Sequence, residues 1–232
     1  MDPVPDLVTM HLWTVPDRRV PMALLRMAGD RGLLGRTAGL RFAKLLGTGD
    51  GRTFTVRDAD RNRWGLLATW DTAADATAFE TGPVARGWGR IADEQLRVDL
   101  RPLTSRGRWS GREPFGTPEP DRAYDGPVAA LTRARIRAAR MRTFWRAVPP
   151  VSADLHAAAG LRLALGVGEA PIGLQGTFSL WDSPAAVTAF AYRRPAHVEA
   201  VRRTAEIGWY SEELFARFAV LAVEGTVGGR TP

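Results

Sequence analysis

Residues 67-LATWDTAADATAF-79 and 178-FSLWDSPAAVTAF-190 repeat one another. In each, an apolar stretch ends on Trp-Asp, small residues open a helix, and Ala-Phe follows. Trp70, Asp71 and Phe79 correspond to Trp181, Asp182 and Phe190 at one constant offset. Self-similarity of this kind marks a duplicated structural unit. Asp71 and Asp182 are placed at or near helix N-caps, where a side-chain oxygen satisfies free backbone N–H groups. Pro184 suits a first helical turn.

A second match lies upstream in each half. Residues 39-GLRFAKLLGTG-49 resemble 160-GLRLALGVGEA-170, each a Gly-Leu-Arg, a short apolar strand and a glycine-rich turn. The offset is larger here, so the first half carries an insert. Residues 50-DGRTFTVRDADRNR-63 supply it and read as a loop or irregular hairpin.

On these anchors the first half predicts strand Leu7–Trp13, a helix over about Val20–Arg36, strands Leu40–Leu46 and Trp64–Trp70, a helix over about Ala73–Glu94, and strand Leu96–Leu103. The second predicts strand Val128–Arg137 and a helix over about Met141–Ala158, interrupted at Pro149-Pro150. Strands Arg162–Val167 and Leu174–Trp181, a breakable helix Pro184–Leu214 and strand Ala216–Val223 complete it. Each half is βαββαβ, the order of an α+β, ferredoxin-like sheet with both helices on one face. The halves are 1–113 and 128–232, and 114-PFGTPEPDRAYDGP-127 reads as the linker. Tandem units of this kind suggest a dimeric-α/β-barrel-type fold within one chain, with a ligand cavity between sheet and helices. Two independent units are the alternative.

Composition narrows the function. The 232 residues are 45% hydrophobic, enough for one large domain or two small ones. No apolar run reaches the roughly 18 residues of a membrane span. The start MDPVPDLV lacks a signal-peptide pattern, so a cytoplasmic protein is expected. With no cysteine, disulfides, thiolate ligands and a cysteine nucleophile are excluded. The net charge is +7, yet Lys44 is the only lysine and the arginines are scattered. Arg133, Arg135 and Arg137 have period two and line one face of a strand. There is no basic patch with aromatic platforms, and nucleic-acid binding is not expected.

Three histidines remain. On a helical wheel His197 shares a stripe with Ala200, Val201, Thr204, Ala205, Ile207 and Gly208, while Glu199, Arg202, Arg203 and Glu206 lie opposite. A buried imidazole needs a partner, so His197 reads either as a core histidine or as a ligand. The stripe is small enough to leave room for a flat, bulky group, and one axial histidine suffices to hold haem. The three histidines have no recognisable zinc or non-haem iron spacing. His11 shares a strand face with Thr9 and Trp13 and faces either a pocket or solvent. His156 reads as an exposed or helix-terminal cation.

Three stretches, 40-LRFAKLLGTG-49, 104-TSRGRWSGREPF-115 and 205-AEIGWYSEELFARFAVLAVEGT-226, resemble the spheroidene monooxygenase family of carotenoid-modifying enzymes. The likeness runs over nearly the whole chain, and Ser-Arg-Gly-Arg-Trp-Ser-Gly at 105–111 is its most specific part. It implies a haem b-dependent monooxygenase that oxidises an activated methylene of an acyclic carotenoid to a ketone, with O₂ and an external donor such as ferredoxin. It implies a haem hung from His197, with Val201 beside it. A carotenoid substrate would favour a peripheral membrane location, and a homodimer is an open option.

The Thr104–Phe115 motif then has two readings. Arg106 and Arg108 suit haem propionates, and Trp109 suits a porphyrin face or a substrate tunnel wall. Equally, its glycines can serve a turn and Trp109 can pack between the halves. Lys44 and Gly47–Gly49 are weaker candidates, and that turn lacks the residues of a phosphate loop. Arg133, Arg135, Arg137 and His11 are the only candidates for a distal polar group. Competing functions are another haem reaction such as aldoxime dehydration or nitrogen-metabolite chemistry, a non-enzymatic haem carrier or sensor, and a cofactor-free oxygenase.

Overall fold

The repeated segments fold into matching places of one closed barrel in a computed structural model of the chain. The structure describes residues 2–52, 58–169, 174–193 and 195–232; the side chains of residues 174, 175, 193, 195–197, 201 and 205 fall outside that description. The elements run β1 (Leu7–Thr14), α1 (Val20–Leu34), β2 (Leu40–Gly49), β3 (Ala59–Trp70), α2 (Ala73–Glu80), α3 (Pro83–Gly89) and β4 (Glu94–Gly107). The second half follows with β5 (Val128–Ile136), α4 (Met141–His156), β6 (Leu161–Gly168), β7 (Leu174–Trp181), α5 (Pro184–Arg193), α6 (Pro195–Ile207) and β8 (Tyr210–Gly225).

The eight strands close in the order β1-β3-β2-β6-β7-β5-β8-β4, all neighbours antiparallel. Within each half the spatial order is fourth, first, third, second. The halves are joined by a long β4–β8 ladder, from Leu96↔Gly225 to Gly107↔Leu214. A short ladder, Gly47–Gly49 against Gly166–Gly168, closes the other seam. Trp70 faces Leu7 just as Trp181 faces Val128, which fixes the equivalence of the halves residue by residue.

Alternation along the strands makes two layers. One face fills the barrel with Met10, Leu12, Leu67, Val98, Leu131, Phe178, Leu214 and Phe218, together with Trp109 and Phe115. Phe115, in the segment between the halves, is fully buried and meets Phe218 edge-on at 4.9 Å. The other face meets the helices. Among the described residues no helix is long and apolar enough to cross a membrane.

Several elements differ from the sequence expectation. The helix expected over Ala73–Glu94 is two short ones, because Gly82 and Pro83 end the first and restart the second. β3 and β4 run longer than expected, so Arg106 is a strand residue. α4 continues through Pro149 and Pro150; packing of its inner stripe Phe144, Val148 and Ser152 outweighs the lost backbone bonds. The long helix expected from Pro184 restarts at Pro195 and stops at Gly208, whose φ of 64° suits a residue without Cβ. β8 begins at Tyr210, and Leu214, Ala216 and Phe218 alternate inward. His197 is therefore in the first turn of α6, not the middle of a long helix.

Candidate functional site

The helix-facing layers of the two halves are filled differently. In the first half Trp13, Trp64, Trp70, Trp88, Phe79 and Leu66 form one continuous buried cluster. Trp13 stacks on Trp88 at 5.1 Å and on His11 at 5.4 Å. In the second half the layer splits. One cluster holds Val128, Trp181 and Val187 against α5. The other holds Ile136, Phe144, Val148 and Trp209 against α4.

Between these clusters the sheet is lined by small residues. Thr132 and Ala134 of β5 stand where β1 carries His11 and Trp13. Thr132 pairs with Thr177 on one side and Phe215 on the other, and Thr177 pairs with Gly166. Ala130, Ser179 and Ala164 form the adjacent row. Thr132 is exposed although its strand is flanked on both sides, and Thr177 and Ala164 are half-buried. An inner strand exposed on its helix-facing side marks a cleft between sheet and helices. α4 faces this layer, and its Ser152 hydroxyl is buried with no hydrogen-bond partner among the described residues.

α6, which packs against α4 and α5, carries His197 and Val201. Their side chains lie outside the described residues. At the cleft's β4 edge, the Arg106 guanidinium lies 5.3 Å from the Phe215 ring, with its side chain 79% exposed and 3.9 Å from Glu213. Arg217, one row along, is half-buried with no ion pair among the described residues. Arg108 points to solvent and pairs with Glu113 at 3.3 Å.

Trp109 is elsewhere, on the barrel side of the sheet. It is 1% exposed, packs edge-on against Phe42 at 5.7 Å and donates its indole N–H to Glu169. It belongs to a charged cluster at the barrel mouth. The Lys44 ammonium lies 2.6 Å from Glu169 Oε2 and 2.7 Å from Ser110 Oγ. Arg133, 2% exposed, pairs with Glu212 and lies 5.5 Å over the Trp109 ring. The Ser110 and Gly111 amides donate to Glu212 at 3.0 and 2.7 Å, and Ser110 is the only non-glycine with positive φ, 53°, among the described residues. Burial raises the Glu169 carboxyl, but hydrogen bonds from Lys44 and Trp109 and the charges of Lys44 and Arg133 outweigh it, so its pKa is lowered. Glu212 is lowered for the same kind of reason, by the Gly111 amide and Arg133 against burial.

The remaining candidates are spread out. Arg135 is exposed, and Arg137 donates to the Tyr210 carbonyl at 3.0 Å. His11 is 3% exposed in the first half, 2.8 Å from Glu80, which also meets Arg97 at 3.0 Å. His156 ends α4 on the surface. Among the described residues no cluster of three or more His, Cys, Asp or Glu could hold a metal ion. Sequence reasoning grouped Trp109 with the flanking arginines, whereas alternation sends them to opposite faces. It missed Glu169, Glu212 and Thr132; only the period-two pattern of β5 carried a signal for the last.

No family model matches the chain. It is 37% identical over 219 residues to the spheroidene monooxygenase of Rhodobacter capsulatus, covering 92% of this chain and 89% of that protein. It is 43% identical over 206 residues to the enzyme of the same name from Rubrivivax gelatinosus, covering 88% and 77%. Among solved structures, an aldoxime dehydratase superposes with a TM-score of 0.63 at 9% identity, covering 92% of this chain and 80% of that one. A second, crystallised with butyraldoxime, gives 0.59 at 12% identity, covering 92% and 79%. Those two share the fold alone. The sequence identity, held over most of the chain, is of another order: this protein belongs to the spheroidene monooxygenase family and is an oxidoreductase.

Proposed function

We propose that the chain is a haem-dependent monooxygenase of a lipophilic, carotenoid-class substrate, and that the cleft of its second half holds the cofactor. The two halves are then ferredoxin-like repeats, only one of which has kept a filled helix-facing layer. The observation that carries the reading is the contrast at equivalent positions: His11 and Trp13 in one half, Thr132 and Ala134 in the other. A flat macrocycle needs a floor without bulky side chains, and Ala130, Thr132, Ala164 and Thr177 provide one. His197, in the first turn of α6, is the proposed axial ligand, with Val201 one turn further along.

The group, when bound, supplies the redox chemistry that activates O₂. The protein's own residues do the rest. Arg106 and Arg217 emerge at one edge of the floor and suit the carboxylates of a porphyrin. Thr132 and Thr177 place hydroxyls on the floor, where they can donate or accept one hydrogen bond. Phe144, Val148 and Trp209 close one end with apolar surface and exclude water. Conversion of a methylene to a ketone takes two oxygenations. Each inserts one oxygen atom and reduces the other to water with two external electrons, and the resulting geminal diol loses water.

The test is incubation of purified protein, O₂, an electron donor and spheroidene, with product analysis by mass spectrometry. The expected product has gained one oxygen and lost two hydrogens. No conversion by haem-loaded protein, with turnover of an unrelated substrate instead, would overturn the carotenoid assignment.

A further inference from the structure

Helix α1 is built inside out. Its buried side carries Ala23, Asp30 and Leu34. Arg26 Nη1 lies 3.4 Å from Asp30 Oδ2, so the helix's own ion pair faces the protein. The outer side is apolar: Met22, Leu24, Leu25 and Leu33 are 42%, 55%, 67% and 40% exposed. On a helical wheel they span the solvent arc with Ala28 and two glycines, and Arg31 is the one charge among them. A surface helix ordinarily shows the reverse polarity. Met22 and Leu25 lie one turn apart, Leu24 and Leu33 flank them across Ala28, Gly29 and Gly32, and an outer helix face this apolar marks an interaction surface.

The surroundings indicate what covers it. Arg18 and Arg19 lie just before α1, and Arg31 and Arg36 lie at its far end. All four are exposed, and none forms an ion pair among the described residues. A second copy docked across a two-fold would set these arginines near their own mates, in a chain already carrying +7. An anionic lipid surface accommodates both features: the apolar face enters the headgroup–acyl boundary, and arginines at both ends meet phosphates.

We propose that the outer face of α1 docks the protein on an anionic lipid bilayer. The proposal rests on α1 and the arginines at its two ends and does not depend on the haem reading; it deepens the proposed function by giving a lipid-dissolved substrate a route to the enzyme.

The full chain is co-sedimented with vesicles of phosphatidylcholine alone and of phosphatidylcholine with phosphatidylglycerol, at low and high salt, and sized without vesicles. Binding is expected to the anionic vesicles, weakened by salt. Leu25→Glu should weaken it at least tenfold, and Arg18→Gln or Arg19→Gln about fivefold each. Leu25 is exposed, so the variant should keep the wild-type circular dichroism and visible spectrum; an unchanged visible spectrum separates this test from that of the haem reading. Equal binding to both vesicle types, no binding, or a dimer that Leu25→Glu splits would each overturn the proposal, the last in favour of a second copy.

Discussion

Arg162 Nε donates to Asp182 Oδ1 at 2.6 Å, and Arg41 makes the same bond to Asp71 in the other half. The two sequence repeats, Gly-Leu-Arg and Trp-Asp, are thus each other's partners. The backbone agrees, since the Asp71 and Asp182 amides donate to the Gly39 and Gly160 carbonyls, both at 2.8 Å. Gly39 and Gly160 have φ of 69° and 78°, a region that penalises any residue with Cβ. Asp71 and Asp182, expected at or near the N-caps, lie one residue before the capping side chains. Thr72 caps α2 by accepting the Asp75 N–H, and the Ser183 hydroxyl accepts the Ala186 N–H at 3.3 Å.

The side-chain pairs are exposed, so they should matter less than the glycines. Asp182→Asn is expected to cost under about 1 kcal/mol. Gly39→Ala is expected to cost about 1–3 kcal/mol, because the left-handed backbone and the Asp75 side chain both oppose a Cβ. Urea unfolding of the two variants tests this ordering, and a larger loss in Asp182→Asn would refute it.

The barrel-mouth cluster gives the protein an acid limit. Glu169 and Glu212 both titrate below their ordinary value of 4.5 when folded. Their contribution is therefore complete above about 4.5 and is lost as pH falls through the lower folded values. Glu212→Gln also leaves the buried Arg133 short of a partner, at a cost of about 3 kcal/mol at pH 7. Stability measured from pH 7 to 3 should fall less steeply in Glu212→Gln than in wild type. Parallel curves would contradict the assignment.

His11 is assigned a structural role. It and Arg97 hold Glu80 below its ordinary pKa against the effect of burial, and its ring stacks on Trp13. His11→Ala opens a cavity and removes a buried partner, for an expected loss of about 2–4 kcal/mol. Cofactor stoichiometry in the folded protein should be unchanged. Loss of cofactor from folded His11→Ala would move the site to the first half.

Thr132→Trp puts on the second half, at the place of His11, bulk of the kind that His11 and Trp13 bring to the first. In the cofactor-free protein it should be neutral or stabilising, since it fills a cleft rather than a packed core. It should also abolish cofactor uptake. A variant that is strongly destabilised yet still loads cofactor would show that the cleft lies elsewhere.

The repeats made the fold legible, because Trp70 and Trp181 end equivalent strands whose surroundings are alike. Strand ends were less legible: β8 begins at Tyr210 because Gly208 stops α6, whereas the sequence pattern alone carries the helix as far as Leu214. The site was half legible. His197 was marked by a small-residue stripe, a property of one helix alone. The Thr104–Phe115 motif was marked as special, but its partners Glu169 and Glu212 come from distant turns and strands, and only barrel closure brings them to Trp109 and Ser110. The exposure of Thr132 stands out only when it is compared with the buried His11 across the halves.

The visible spectrum of protein purified from haem-supplemented cells, set beside that of His197→Ala, decides whether the protein holds haem through His197. The wild-type protein is expected to show a Soret band, with about one haem per chain, and a His197→Ala variant that keeps its circular dichroism is expected to lose it. A colourless wild-type protein that takes up no added haemin, or a folded His197→Ala variant with an unchanged Soret band, would contradict haem binding through His197.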